Sequence, residues 1–279
     1  MTTIAEPGVY PDLPEDAYHR DPVPGGSLSS GGARTLLKPG GPAKFAYWRG
    51  RQRNSAVFDL GKAFHTRVLG SGAELWTVDA KDWKTKAAQE ERDEAYAAGK
   101  IPILVADARR ITAMHNAVLD THPIAERLLR APGNVEQSLF WVDPKTGVWC
   151  RARHDKAIRD NTGRLVIVDV KTCEKADDRS AAKSVANYGY HQQDDWYTRG
   201  AVALDLDPDP GFLFIFVEKE PPHLVNVVQL SADDADVGRR RNNTALRIYA
   251  DCTSSGIWPG HGADITEITL PAWAREDIP

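Results

Sequence analysis

Asp155 and the triplet Asp169-Val170-Lys171 are the residues whose types and spacing first suggest chemistry. Asp169 follows the apolar run LVIV, which reads as a strand, and residues i and i+2 of a strand point to one face. Asp169 and Lys171 therefore project together, and pairing with an adjacent strand brings Asp155 beside them. Two carboxylates and a lysine on one sheet face are costly unless something uses them. Hard carboxylate oxygens suit Mg²⁺ or Mn²⁺. A lysine there can orient or deprotonate a water, or offset charge developing on a phosphate. That set is what metal-dependent phosphodiester hydrolysis needs. An Asp-x-Lys at a strand end is also compatible with a plain exposed ion pair; Asp155 at this separation favours the catalytic reading.

Other residues could join this set. Glu136 opens the preceding strand and reads as a third ligand, an outer group or a solvated strand end. His65 lies mid-helix in GKAFHTRVLG; it is either a core or surface histidine or a ligand through a neutral imidazole nitrogen. Gln193 and Tyr197 stand at i, i+4 in a helix and share a face, with Tyr190 beside them. That face is either a packing stripe or a polar, aromatic edge that positions a nucleic-acid strand or a water. From Arg34 to Arg67 there are eight basic residues and one acid, Asp59. Arg34, Lys44, Arg49, Arg51, Arg53 and Lys62 from this segment, with Arg151 and Arg153 beside Asp155, are the candidates for phosphate contacts. A solvated basic face is the alternative.

The elements that must position these groups can be read from periodicity and turn signals. VEQSLFWVD, GVWCRARHDKAI and GRLVIVDVKT are separated by the turn-like DPKTG and RDNTG, which predicts a three-stranded meander. Ser29 or Ser30 caps a helix that ends at Pro39, and a second helix spans SAVFDLGKAFHTRVLG. Residues 80–130 are helical in pattern, as is SAAKSVANYGYHQQDDWYTRGAVAL. GFLFIFVEKEPPHLVNVVQL predicts two strands around a turn at Pro221-Pro222, followed by a helix over about 232–252 and an irregular tail. The fold class is α+β, a central mixed sheet flanked by helices. Residues 1–28 read as an irregular or strand-like lead-in, and 29–279 as one domain.

Composition narrows the function. The 279 residues carry 35 Lys+Arg against 39 Asp+Glu, a net charge of −4, which argues against a protein that coats nucleic acid. No apolar run is long enough to cross a membrane, and no signal peptide is evident. The three cysteines are far apart, giving neither a disulfide framework nor a metal clip, so a cytoplasmic setting is expected.

The ordered set of His65 in G-K-A-F-H, Glu136, Asp155, D-V-K and Q-D-D-W-Y resembles the RecB-like PD-(D/E)XK nucleases. The segments C-R-A-R-H-D-K, V-D-V-K-T, Y-x-x-Q-x-x-x-Y, F-I-F-V-E-K-E-P-P-H and G-I-W-P-G look more specifically like exonuclease VIII (RecE-type) nuclease domains of phages and prophages. The likeness runs from about Leu28 to Trp273. It implies a restriction-endonuclease-like core and Mg²⁺-dependent DNA cleavage, with Mn²⁺ as a substitute. Asp155, Asp169 and His65 would be metal ligands, the Val170 carbonyl a backbone ligand and Lys171 the catalytic lysine. Gln193 and Tyr197 would support them, and Glu136 matches less closely. The resemblance further implies 5′-strand digestion of linear duplex DNA in a bacterial host, a closed homo-oligomer and a single-strand annealing partner. Some relatives hold an iron–sulfur cluster on four cysteines; three cysteines in this chain exclude that version. A single-strand-preferring or structure-specific endonuclease, or a non-enzymatic DNA-binding protein on the same fold, are the competing expectations.

Overall fold

In a computed structural model, which describes residues 2–50, 57–262 and 264–275, the lead-in is built into the sheet. Its strand β1 (Gly8–Tyr10) pairs antiparallel with a later strand, and α1 (Glu15–His19) follows. Ile4, Leu13, Tyr18 and Val23 form a small core with Phe140. The short β2 (Leu28–Ser29) leads directly into α2 (Ser30–Leu36). As expected, Ser29 is the N-cap, its Oγ accepting the Gly32 N–H at 3.2 Å.

Helices α3 (Gly41–Trp48) and α4 (Val57–Leu69) come next. The stretch read as wholly helical contains a strand. β3 (Leu75–Val78) and β4 (Ile101–Leu104) form a separate two-stranded parallel sheet around α5 (Lys86–Ala97). Each strand has only four residues, too few for a period-2 pattern to stand out from neighbouring helices. α6 (Val105–Thr121) and α7 (Pro123–Arg130) complete this region.

The predicted meander is present as β5 (Gly133–Val142), β6 (Trp149–Arg159) and β7 (Leu165–Cys173). After it come α8 (Asp178–Tyr188) and α9 (Tyr190–Ala203), then β8 (Gly211–Glu218), β9 (Val225–Val228) and the long α10 (Ala232–Ser255). The helical run before β8 is thus two helices. Gly189 separates them with φ +67°, a left-handed conformation that glycine adopts without strain.

Among the described residues the main sheet has seven strands, in the order β1-β5-β6-β7-β8-β9, with β2 attached to β6. It is mixed: β7 and β8 run parallel, as do β2 and β6. Along β7 and β8, Val168, Val170, Ile215 and Val217 pack with Phe64, Met114 and Val118 from α4 and α6. The alternate residues Ile167, Phe212, Phe214 and Phe216 pack with Val185 and Ala201 from α8 and α9. Both faces are covered, which is why LVIVDV reads as a nearly continuous apolar run. A third core joins Leu28, Trp141, Trp196, Leu246 and Tyr249 between the sheet, α9 and α10. Among the described residues no helix is long and apolar enough to cross a membrane.

One interruption of the sheet matters for function. β6 and β7 pair from Arg159↔Leu165 up to Lys156↔Val168 and no further. The next position in that register would set Asp155 opposite Asp169. Beyond it β6 is met instead by β2, through Leu28↔Cys150 and Ser29↔Arg151, while β7 continues along β8. The two aspartates stand where the strands part.

Candidate metal centre and its surroundings

The fork is bridged by a side chain. Asp155 Oδ2 accepts the backbone N–H of Val170 at 2.8 Å, replacing a rung that the divergent strands no longer make. From α4, His65 Nδ1 lies 3.5 Å from the same oxygen. Glu136 arrives from β5, and one donor atom each from His65, Glu136 and Asp155 lies within 4.8 Å of the other two.

Glu136 reaches this position through an uncommon backbone. Its φ is +53°, in the left-handed region, between the regular pairs Val135↔Lys156 and Gln137↔His154. A non-glycine residue pays about 1–3 kcal/mol for such a conformation, and such positions cluster at functional sites. Arg153 fixes the side chain: its Nε donates to Glu136 Oε2 at 2.7 Å, while Nη1 donates to Ser138 Oγ and the Leu13 carbonyl.

Asp169 and Lys171 project together, as the strand period predicted. Lys171 Nζ lies 2.5 Å from Asp169 Oδ2, and Gln193 Nε2 from α9 donates to Asp169 Oδ1. α9 is itself pinned. Gln192 Nε2 donates to Asn242 Oδ1 at 3.0 Å, and Asn242 Nδ2 donates back to the Gln192 carbonyl at 2.8 Å. Gly238 permits this approach of α10, since a Cβ there would lie 1.9 Å from the His191 carbonyl oxygen. Tyr190 and Tyr197 share the Gln193 side of the helix. Tyr190 packs on Phe214 and receives the Lys171 ammonium 4.8 Å from its ring centroid. Tyr197 meets Phe212, so it supports the core beneath Gln193.

The electrostatics follow from burial. Burial pushes the Asp155 carboxyl pKa up; His65 pulls it down and the Asp169 charge adds to the rise. Burial likewise raises Glu136, with Asp155 adding to it and Arg153 opposing. Burial pulls the Lys171 ammonium toward neutrality, but the Asp169 and Asp155 carboxylates outweigh it and leave its pKa above the usual lysine value. A cluster of poorly solvated carboxylates whose charges repel one another is a receptor for a cation. Carboxylate oxygens suit hard ions such as Mg²⁺ and Mn²⁺, and an imidazole suits transition-metal ions. The residues present therefore fit a divalent ion.

The basic candidates divide into two groups. Arg34 Nη1 donates to the Tyr188 carbonyl at 2.8 Å and braces the α8–α9 junction. Lys44 and Arg49 are exposed, donating to the Pro39 and Gly25 carbonyls. Lys62 is exposed and lies 2.8 Å from Glu15. Arg51 and Arg53 lie outside the described residues. Arg151 and Arg153 differ from expectation. The Arg151 side chain is 12% exposed; it lies 2.8 Å from Asp21 and donates to the Ser27 carbonyl and Oγ. The Arg153 side chain is 14% exposed and holds Glu136. Neither belongs to an exposed cationic surface. Both are consumed inside the fold, because β1, α1 and β2 close over this part of β6. The role of Arg153 as the anchor of Glu136 escaped the sequence reading. Its one signal was its place two residues before Asp155 on the same strand.

The chain matches the family described as "PDDEXK-like domain of unknown function (DUF3799)" over residues 43–269. Comparison with curated proteins returns no match. Among solved structures, a Eubacterium rectale protein described as a "Putative exonuclease" superposes with a TM-score of 0.59 at 10% identity, over 95% of this chain and 97% of its own. At that identity the likeness is one of fold. A phage related exonuclease from Haemophilus somnus 129PT reaches a TM-score of 0.34 at 10% identity, over 83% of this chain and 96% of its own. The mixed sheet flanked by helices and the D-x-K strand agree with the family match, and the chain belongs to the PDDEXK-like domain family.

Proposed function

We propose that this protein is a metal-dependent deoxyribonuclease that degrades linear duplex DNA from its ends by hydrolysing phosphodiester bonds. The observation that carries this reading is the fork between β6 and β7. There His65, Glu136 and Asp155 draw together, and Asp169, held by Lys171 and Gln193, stands beside them without joining that group of three. In this reading His65, Asp155, Asp169 and Glu136, with the Val170 carbonyl, hold Mg²⁺ or Mn²⁺. Once bound, the ion acts as a Lewis acid that lowers the pKa of a water and neutralises the scissile phosphate.

The chain's own groups supply positioning and charge. Lys171, held as an ammonium by its carboxylate neighbours, offsets negative charge at the phosphate rather than acting as a base in the metal-free state. Gln193 fixes one Asp169 oxygen and leaves the other beside the Lys171 ammonium. Arg153 likewise fixes one Glu136 oxygen. Exposed Lys44, Arg49 and Lys62 grip the DNA backbone without reading sequence. The exonuclease mode draws on the shared fold with the Eubacterium rectale protein. The RecE-type resemblance adds a 5′-to-3′ direction, a closed homo-oligomer, a single-strand annealing partner and a role in phage-type recombination within the cytoplasm of a bacterial host.

Linear duplex DNA labelled at the 5′ or the 3′ end, with nicked and closed circles beside it, tests the mode. Release of the 5′ label with closed circles intact is the expected result. Cutting of closed circles indicates an endonuclease instead. Binding in EDTA without cleavage in either metal assigns a non-enzymatic DNA-binding role.

A further inference from the structure

Next to Lys171 is a cleft that the cleavage chemistry does not use. It encloses about 380 Å³ between the end of β7 and α8, with Thr172, Lys175, Lys183, Tyr188, Tyr190 and Lys219 among its lining residues. Its charge is positive on balance. Its lining carries three lysines and one carboxylate, Glu174, which is already engaged by Lys219 at 2.8 Å. Lys175 and Lys183 are exposed.

Its aromatic wall is ordered. Phe214, fully buried, packs on Tyr190 with centroids 5.7 Å apart and planes 29° apart. Tyr190 packs in turn on Tyr188 at 5.6 Å and 31°. The three rings form a column that runs from the core to the surface and ends on Tyr188, which is 62% exposed. Arg34 fixes that end by donating to the Tyr188 carbonyl. Lys171 stands over the middle ring, so the column and the candidate metal centre share a wall.

A flat ring exposed at the end of a column, beside lysines, is the chemistry that receives an unpaired nucleotide: base on aromatic, phosphate on ammonium. We infer that this cleft holds an unpaired nucleotide of the DNA strand being cut, its base stacked on Tyr188 and its phosphates facing Lys175 and Lys183. This inference rests on the nuclease reading and deepens it. An end that already carries unpaired nucleotides has no pairs to break in filling this cleft, so ends with an unpaired overhang are preferred over blunt ends.

The test uses the full chain. A fluorescent oligothymidylate is bound in EDTA and followed by anisotropy, and cleavage of blunt and overhanging duplexes is measured separately in Mn²⁺. Tyr188→Ala is expected to weaken oligothymidylate binding about tenfold and to erase the preference for overhangs, while Tyr188→Phe retains both. Lys183→Ala is expected to weaken binding and to flatten its salt dependence. Unchanged binding in Tyr188→Ala, with the wild type cleaving normally, overturns the inference and leaves the nuclease reading standing. Displacement of the oligonucleotide by dTMP at equal concentration also overturns it, assigning the cleft to a released product. A wild type that cleaves nothing overturns the nuclease reading; the Tyr188 binding arm then still decides whether the cleft takes a nucleotide.

Discussion

Gln193 and Lys171 divide the Asp169 carboxylate between them: the amide donates to Oδ1, and the ammonium lies 2.5 Å from Oδ2. One carboxylate is thereby tied to both a helix and its own strand. Removing a group that orients a ligand typically lowers metal affinity or activity by about 10- to 100-fold. Gln193→Ala is expected to fall in that range with its circular dichroism unchanged. Activity within twofold of wild type removes Gln193 from the site.

Lys171 makes a stronger demand. It is the ammonium nearest the paired carboxylates, and a group aimed at developing charge contributes about 10²- to 10³-fold. Lys171→Ala is expected to lose at least that much in single-turnover cleavage while still binding DNA. Lys171→Arg is not expected to rescue it, because the planar guanidinium does not fit where a compact ammonium sits between Asp169 and Tyr190.

Asp194 gives a pH-dependent prediction. Burial, with the Asp195 charge added, pushes its carboxyl up to about 7 from an ordinary value of 3.8. The folded state therefore holds a proton that the unfolded state has released. The stability this contributes is fully present below about pH 4 and is lost as the pH rises to about 7. Asp194→Asn keeps a neutral group at all pH values. It is expected to raise the melting temperature at pH 8 by several degrees and to leave it nearly unchanged at pH 4. Parallel melting curves for the two proteins across that window would contradict the assignment.

Arg151 and Lys44 separate folding from binding. Arg151 is largely but not fully covered against Asp21, and removing one partner of such a pair costs up to about 3–5 kcal/mol, the value for a fully buried one. Arg151→Ala is expected to unfold at clearly lower urea, with the salt dependence of DNA binding unaltered. Lys44 is exposed. Lys44→Ala is expected to leave stability unchanged and to reduce the slope of log K against log salt by about 1. Interchanged effects would place Arg151 on the DNA and Lys44 in the fold.

The parts of this architecture that are local were legible in the sequence. Strand alternation and the turns DPKTG and RDNTG locate β5, β6 and β7. The i, i+2 rule brings Asp169 and Lys171 together, and the i, i+4 rule puts Gln193 and Tyr197 on one side of α9. What escaped depends on distant pairings. The fork opens where β7 leaves β6 after Lys156, and β2, far back in the chain, pairs with β6 further along, at Cys150 and Arg151. Glu136 enters the site through a backbone conformation that no side-chain pattern announces. Arg151 and Arg153 look like free cations until the lead-in folds over them. The eight basic residues spread from Arg34 to Arg67 are plain in the sequence, while the aromatic column ending on Tyr188 is visible only once β8 lies under α9.

Metal-dependent cleavage at the fork is tested by following linear duplex DNA with the wild type and with Asp155→Asn, each in Mn²⁺ and in EDTA, with metal binding measured by calorimetry on the same proteins. The fork reading predicts metal-dependent degradation by the wild type alone, and loss of Mn²⁺ binding together with activity in Asp155→Asn. Degradation that persists in EDTA, or an Asp155→Asn protein that cleaves as fast as the wild type, would contradict it.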